Sequence, residues 1–331
     1  MKILICPLNW GLGHATRCVP LIQRLISEGN DIVIASDGYS LVFLQQEFSS
    51  LTTVEIPSYR VRYGSGKSQL FAMLRNVPSI VGGIVREHRW LTRYLQSNNI
   101  DMVISDNRFG LWSKQTKSVY ITHQLMIKMP RGLVFLEPVA WRLHRMFINR
   151  YSECWIPDIS GKNNLSGDLA HKYPLPKKAE FIGILSRFQG LENATPNTDY
   201  ATVCVLSGIE PQRSIFEKNL IERFQHSATR TLIIRGQPQT EKQTSEIGSV
   251  TLVSHLSTEE MAARFRGATK IISRSGYSTI MDLAVLNCLS KAELIPTPGQ
   301  TEQEYLSELR MDKSENRQHT NLLQKDEETI L

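Results

Sequence analysis

Two short glycine-bearing runs carry the residue types that could do chemistry. The first is Asn9-Trp10-Gly11-Leu12-Gly13-His14-Ala15-Thr16-Arg17, directly after an apolar run and at the start of a helical period. Glycines there permit a tight turn and close approach of backbone to a ligand, and the N–H groups of a helix start favour negative charge. An imidazole in such a turn can take a proton from a hydroxyl. His14 is therefore a candidate general base, with Gly11, Gly13 and Arg17 placed to contact the hydroxyl-bearing molecule. Asp106, in Ser105-Asp106-Asn107-Arg108 at a later strand end, is the alternative base or the partner that orients His14. The run is not the dinucleotide fingerprint, whose third glycine would fall on Thr16.

The second run is Ser273-Arg274-Ser275-Gly276-Tyr277-Ser278-Thr279, leading to Asp282. Backbone N–H groups, the hydroxyls of Ser275 and Ser278 and the positive end of a helix together suit a diphosphate. Asp282, about one turn further in, can accept hydrogen bonds from a ribose. Ser207-Gly208, after another strand, opens a helix in which Pro211 suits the first turn. Between Pro296 and Tyr305, Gln303 and Glu304 are acceptors of the kind that read sugar hydroxyls. A base would lie along 254–256, beside His255.

Gly64-Ser65-Gly66-Lys67-Ser68 imitates a phosphate loop but has Val61 where that motif needs glycine, and it reads as a mobile cleft loop. None of the ten aspartates forms a D-x-D pair, and no His/Cys cluster has ligand spacing. No metal site and no cofactor are expected, so a leaving diphosphate must be met by backbone and cations.

These loops need strands to hold them. β-Branched runs at Lys2–Pro7, Asp31–Ser36, Thr52–Pro57, Asp101–Asp106, Ser118–Thr122 and Glu153–Pro157 alternate with helical periods. Thr16–Glu28 is one such period, and Gln69–Gln96 another that Pro78 and Gly82-Gly83 should interrupt. The pattern restarts with strands at Ala201–Leu206, Thr231–Arg235, Val250–Ser254, Lys270–Ser273 and Glu293–Pro296. Helices are expected at Pro211–Phe224, Thr258–Arg266, Ser278–Leu286 and Thr301–Leu309. Such alternation predicts an α/β chain of two doubly wound, Rossmann-like domains facing a cleft, with ligand loops at the strand carboxyl ends. The expected division is 1–185, 186–311 and a polar tail, 312–331.

The 331 residues leave room for two domains, and 41% hydrophobic with 21% charged residues excludes a wholly disordered or fibrous chain. A net charge of +6 over this length does not make a nucleic-acid binder. It suits an enzyme for anionic substrates or a protein resting on anionic lipid. The five cysteines are odd in number and lack C-x-x-C spacing, against a disulfide framework or a zinc ribbon. The apolar start is too short for a signal peptide, and no run reaches the ~18 apolar residues of a spanning helix. A cytoplasmic protein, soluble or peripheral, is expected.

Together these segments resemble the GT-B glycosyltransferases, and among them glycosyltransferase family 28, which includes lipid-linked N-acetylglucosaminyl transferases. The loop at 11–17 is similar to that family's amino-terminal glycine loop, and the run at 274–282 to its donor-binding helix start. Gln303-Glu304 fall where the family has a Gln pair that contacts donor sugar. Gly183-Ile184-Leu185-Ser186-Arg187 sits at the family's domain junction, which implies that Arg187 helps hold the diphosphate. The sequence departs from the family at Asn9-Trp10, at Glu304, at Ser207-Gly208-Ile209-Glu210, and in lacking a clear closing helix in the tail.

The resemblance implies a metal-independent, inverting transferase that moves a hexose or N-acetylhexosamine from a nucleotide-sugar, a UDP-sugar first, to a glycan or lipid-linked acceptor. A sugar-nucleotide epimerase and a non-catalytic sugar-nucleotide-binding protein are the alternatives. Residues 126–155 mix Lys128, Arg131, Arg142, Arg145 and Arg150 with Phe135, Trp141, Met146 and Phe147, and Pro138 should begin or kink a helix there. Such a segment can lie in the headgroup layer of an anionic membrane.

Overall fold

The computed structural model describes residues 1–57, 69–208, 210–239 and 241–312, without the side chains of 69–77 and 131. The Gly64–Ser68 run and the tail beyond 312 lie outside the described residues.

The first half runs β1 (Lys2–Pro7), α1 (Gly13–Ser27), β2 (Asp31–Ser36), α2 (Gly38–Glu47), β3 (Thr52–Glu55), α3 (Gln69–Ser97), β4 (Met102–Asp106), β5 (Lys117–Ile121), α4 (Glu137–Ile148), β6 (Glu153–Ile156), α5 (Asp168–His171) and β7 (Ala179–Phe181). Its strands form one parallel seven-stranded sheet in the order β3-β2-β1-β4-β5-β6-β7. The second half runs β8 (Thr202–Val205), α6 (Gln212–Phe224), β9 (Thr231–Ile234), β10 (Thr244–Ile247), β11 (Val250–Val253), α7 (Thr258–Gly267), β12 (Lys270–Arg274), α8 (Tyr277–Val285) and β13 (Ala292–Ile295). Its six strands are ordered β10-β11-β9-β8-β12-β13, parallel except where β10 pairs antiparallel with β11. Residues 182–201, between the sheets, contain only turns and irregular backbone.

The expected alternation of strand and helix is present, and both sheets are doubly wound. Central strands are buried on both faces, which is why β1 and β4 read as unbroken apolar runs rather than alternating ones. Three features differ from the sequence reading. Helix α3 passes through Pro78 and Gly82-Gly83 without a break. Beyond the glycines its packing is tight: Glu87 is fully buried against Arg108, and Leu91 sits in the apolar cluster under the sheet. That burial offsets the ~1 kcal/mol each interior glycine costs. Strands β7 and β10 were not foreseen; each is a short edge strand, and all four β10 residues are exposed, so neither bears an apolar signature.

The third difference is a closing helix. The helix expected at Thr301–Leu309 runs over 301–312 and, besides packing on the second domain through Ser307 and the Leu294 carbonyl, lies against the first. Tyr305 accepts from the Asp168 backbone N–H at 2.6 Å, Arg310 donates to the Leu165 carbonyl, and Thr301 donates to the Lys128 carbonyl at 2.6 Å. Leu306 completes an apolar cluster in which Leu165 and Leu169 meet Tyr277, Ile280 and Met281, so the two domains share a core.

Candidate active site

In each sheet the strand order reverses between two neighbouring strands, β1 beside β4 and β8 beside β12. Loops leaving such a point diverge to opposite faces and open a crevice at the carboxyl ends. Register puts Pro7 opposite Asp106, so the glycine loop after β1 and the end of β4 arrive together. The loops after β8 and β12 do the same in the second domain. A cavity of about 1280 Å³ lies between the two crevices.

On the first-domain side, Gly11, Gly13, His14 and Arg17 line this cavity, while Asp106 lies fully buried beneath them. The His14 Nδ1 is 2.9 Å from Asp106 Oδ1. Arg17 donates to the same carboxylate twice, from Nε to Oδ2 at 2.6 Å and from Nη2 to Oδ1. Burial by itself would raise the Asp106 carboxyl, but Arg17 and His14 override it and hold it far below the usual carboxylate range. An ionised carboxylate only accepts, so the bond to Asp106 puts the His14 hydrogen on Nδ1 and leaves the Nε2 lone pair for the cavity; Arg17 Nη2, which also comes within 2.9 Å of Nδ1, then donates to Asp106 Oδ1 instead. Burial, outweighing Asp106, pushes the His14 imidazole below its ordinary value and keeps it unprotonated at neutral pH. Of the two candidate bases, His14 presents a free nitrogen to the cavity, and the buried Asp106 is placed to orient it. Arg17, expected to touch the acceptor, is 1% exposed and committed to Asp106 and His123.

The second domain presents the first turn of α8. Its N-cap, Gly276, supplies no side-chain cap, so the N–H groups of Tyr277, Ser278 and Thr279 at the cavity wall are open to an anion. Arg187, Ser207, Gly208, His255 and Asp282 line the same space. Gly208 has φ +99°, which only glycine adopts without strain. The Arg187 guanidinium stacks near Phe43 and Phe188, and its Nε has no hydrogen-bond partner. Burial lowers its pKa despite the nearby carboxylates of Asp282, Glu47 and Glu259. Asp282 accepts from Ser186 Oγ at 2.6 Å, and burial raises its carboxyl to about 6. His255 pairs with Ser254 Oγ at 2.9 Å.

Five expected donor side chains are used otherwise, among them the Ser278 hydroxyl, which donates to the Gly13 carbonyl at 2.9 Å. Arg274 is 5% exposed and donates to the carbonyls of Pro296 and Gln212, with its guanidinium over Phe216; it does not line the cavity. Ser275 is fully buried and donates to the Gln303 carbonyl at 2.7 Å. The Gln303 side chain accepts from Thr297 N–H and donates to Gln300, and Glu304 accepts from Gly299 N–H. These side chains stiffen the 297–300 loop. Gln303 still lines the cavity; Glu304 does not.

Two site residues went unnoticed in the sequence, His123 and Glu302, which meet across the cleft at 2.7 Å. Neither lies in a glycine run, and only their approach in space marks them. An apolar chamber on the first-domain side was also unforeseen: Ile80, Ile84, Phe109, Ile127, Leu143 and Phe147 open onto the cavity.

No family model matches the chain. A curated relative from Methanosarcina mazei, described as an uncharacterized glycosyltransferase, is 23% identical over 187 residues, 53% of this chain. The match spans 45% of that relative's length. Among solved structures, the glycosyltransferase of kitacinnamycin aligns with a TM-score of 0.52 and 12% identity over 98% of both chains. The spinosyn rhamnosyltransferase in complex with thymidine diphosphate aligns at 0.51 and 13% identity, over 93% of this chain and 90% of that one. Phytolacca americana UGT2, complexed with UDP-2-fluoro-glucose and pterostilbene, aligns at 0.54 and 11% identity, over 95% and 83%. The likeness is one of fold: two facing Rossmann-like domains in the GT-B arrangement of these glycosyltransferases.

Proposed function

We propose that the protein is an inverting glycosyltransferase that takes a sugar from a nucleotide-sugar, a UDP-sugar by preference, and passes it to a hydroxyl on an acceptor with a large apolar part. The observation that carries the reading is the placement of the His14–Asp106 pair across one cavity from the uncapped first turn of α8 and the under-satisfied cation of Arg187. The donor diphosphate would lie on the N–H groups of 277–279 and on Arg187, without need of a divalent metal, and Asp282 would accept from the ribose. Relatives of the same fold are seen with thymidine diphosphate and with a UDP-sugar, which supports a nucleotide donor. By the loop at 11–17 and the run at 274–282 the chain resembles family 28 within that fold.

The acceptor hydroxyl would enter from the first domain. His14 Nε2 takes its proton, the oxygen attacks the anomeric carbon from the face opposite the diphosphate, and the bond to the diphosphate oxygen breaks with its electron pair. The product has inverted configuration, and the leaving charge falls on α8 and Arg187. The apolar chamber favours transfer over epimerisation, because an epimerase has no acceptor to house.

A thermal-shift screen of UDP, GDP and dTDP and their sugars tests the donor. A ligand at ~100-fold over its dissociation constant stabilises by about 2.7 kcal/mol. Stabilisation by UDP-sugars, and transfer to amphiphilic acceptors with inversion, is expected. A response to GDP-sugars alone would overturn the donor assignment.

A further inference from the structure

The network under His14 does not end in the first domain. Arg17 also directs Nη1 at His123 Nδ1, 3.1 Å away. A guanidinium can only donate, so His123 Nδ1 is an acceptor and the ring hydrogen sits on Nε2. That hydrogen is donated to Glu302 Oε1 at 2.7 Å. The imidazole is held in place by Tyr277, stacked at 4.1 Å with only 4° between the planes, and the Tyr277 hydroxyl donates to the Pro157 carbonyl at 2.8 Å. Glu302 begins the closing helix, and Tyr277 begins α8, so a first-domain ring is gripped on two sides by the second domain.

We propose that His123 and Glu302 are positioning residues that set the proton affinity of His14 from across the cleft, so that the base reaches full strength only when the two domains are together. This rests on His14 being the base of the transfer proposed above. The network around His14 comprises Asp106 from β4 and Arg17 from its own helix, with Cys18 against Asp106, His123 from the loop after β5 against Arg17, and Tyr277 and Glu302 from the second domain against His123. Counting formal charges, Arg17 balances Asp106, and Glu302 supplies one further negative charge that nothing else in the network neutralises. When His14 takes a proton, the imidazolium completes the balance. Glu302 thus favours the protonated product of the base, and His123 transmits its position by holding Arg17, which holds Asp106. The Glu302 carboxyl responds in kind: burial would raise it, but His123, His14 and Arg17 draw it below the ordinary range.

The test is a titration of the His14 imidazole by NMR in protein labelled at histidine C2, with His14→Gln used for assignment. It needs neither donor nor acceptor. Glu302→Gln keeps the shape and removes the charge, and it should lower the His14 midpoint by about half a pH unit or more. His123→Phe keeps the stack on Tyr277 and removes both nitrogens, and in that background Glu302→Gln should no longer move the midpoint, as expected of residues acting in series. Glu302→Asp should restore part of the shift. Where transfer is measurable, the acid limb of kcat should move with the midpoint, while UDP affinity by calorimetry stays within threefold. A folded Glu302→Gln protein with an unmoved His14 midpoint would overturn the proposal. So would a loss of UDP-sugar affinity with no midpoint change, which would make Glu302 a donor contact alone. Absence of transfer in the unaltered protein, with the midpoints shifting as described, would overturn the transferase reading but not the coupling.

Discussion

Ser278 Oγ donates to the Gly13 carbonyl at 2.9 Å, so the first turn of α8 touches the first turn of α1 directly across the domain cleft. The approach is possible because residue 13 has no side chain: a Cβ there would lie 2.8 Å from Ser278 Oγ and 3.1 Å from its Cβ. Gly13 thus serves the meeting of the two domains. Gly13→Ala should therefore force the helix starts apart at a cost of about 1–3 kcal/mol. Turnover should fall at least tenfold, and Ser278→Gly in the same chain should recover part of it. Equal damage in the single and double variants would place the fault elsewhere.

His14→Ala should lower kcat by ~10²–10⁴ with little change in donor affinity, since His14 belongs to the first domain. The base must be unprotonated to act, and burial holds it below the 6.5 of a free imidazole. Activity should therefore plateau at neutral pH and fall only as the pH drops below that value. A kcat profile with its acid limb above 6.5 would point to another group.

Arg187→Ala should weaken UDP binding tenfold or more, because it removes the cation proposed to face the diphosphate; a charge-assisted hydrogen bond contributes ~1.5–3 kcal/mol. EDTA should leave turnover intact for the same reason. Loss of activity on chelation, recovered with manganese, would contradict it.

Asp282 should cost stability where it gains function. Its folded pKa is raised to about 6 from 3.8. A raised carboxyl stabilises the fold while protonated, and that contribution is lost as pH climbs through about 6. Asp282→Asn should accordingly raise the Tm at pH 8, by up to about 3 kcal/mol of stability, and the gain should shrink towards pH 4. The same variant should raise the donor KM beyond tenfold. A variant less stable than the parent at pH 8 would refute the burial argument.

The outer side of α4 and the turn before it expose Phe135 (71%), Val139 (50%), Leu143 (53%) and Met146 (64%), spaced as one helical stripe. Leu143 also lines the chamber, and Arg142, Arg145 and Arg150 flank the stripe. We expect this face to settle on anionic lipid and to admit an amphiphilic acceptor from it. Vesicles containing phosphatidylglycerol should sediment the protein at low salt and release it at high salt. Phe135→Asp with Met146→Asp should abolish sedimentation without altering UDP affinity. No sedimentation by the parent would leave a soluble aglycone as the acceptor.

The strands that carry the site were legible because buried parallel strands concentrate β-branched residues, and each ends in glycine or hydroxyl-bearing turns. His14, Asp106, Asp282 and the start of α8 stand in that punctuation, whereas Arg187 was legible only through the family resemblance. Edge strands β7 and β10 could not, since an edge needs no apolar pattern. Arg274, Ser275 and Glu304, which do not line the cavity, were illegible for a different reason. A polar side chain beside a phosphate-type turn looks the same in sequence whether it faces a ligand or ties down a neighbouring carbonyl. Local chemistry thus determined which loops would matter, through the period of the strands and the conformations only glycine permits. The tertiary fold decided which atoms meet. Asp106 lies 92 residues from His14 and Glu302 lies 179 from His123. Hydrogen-bond partners at such separations are chosen by how two sheets face each other, which no spacing along the chain records.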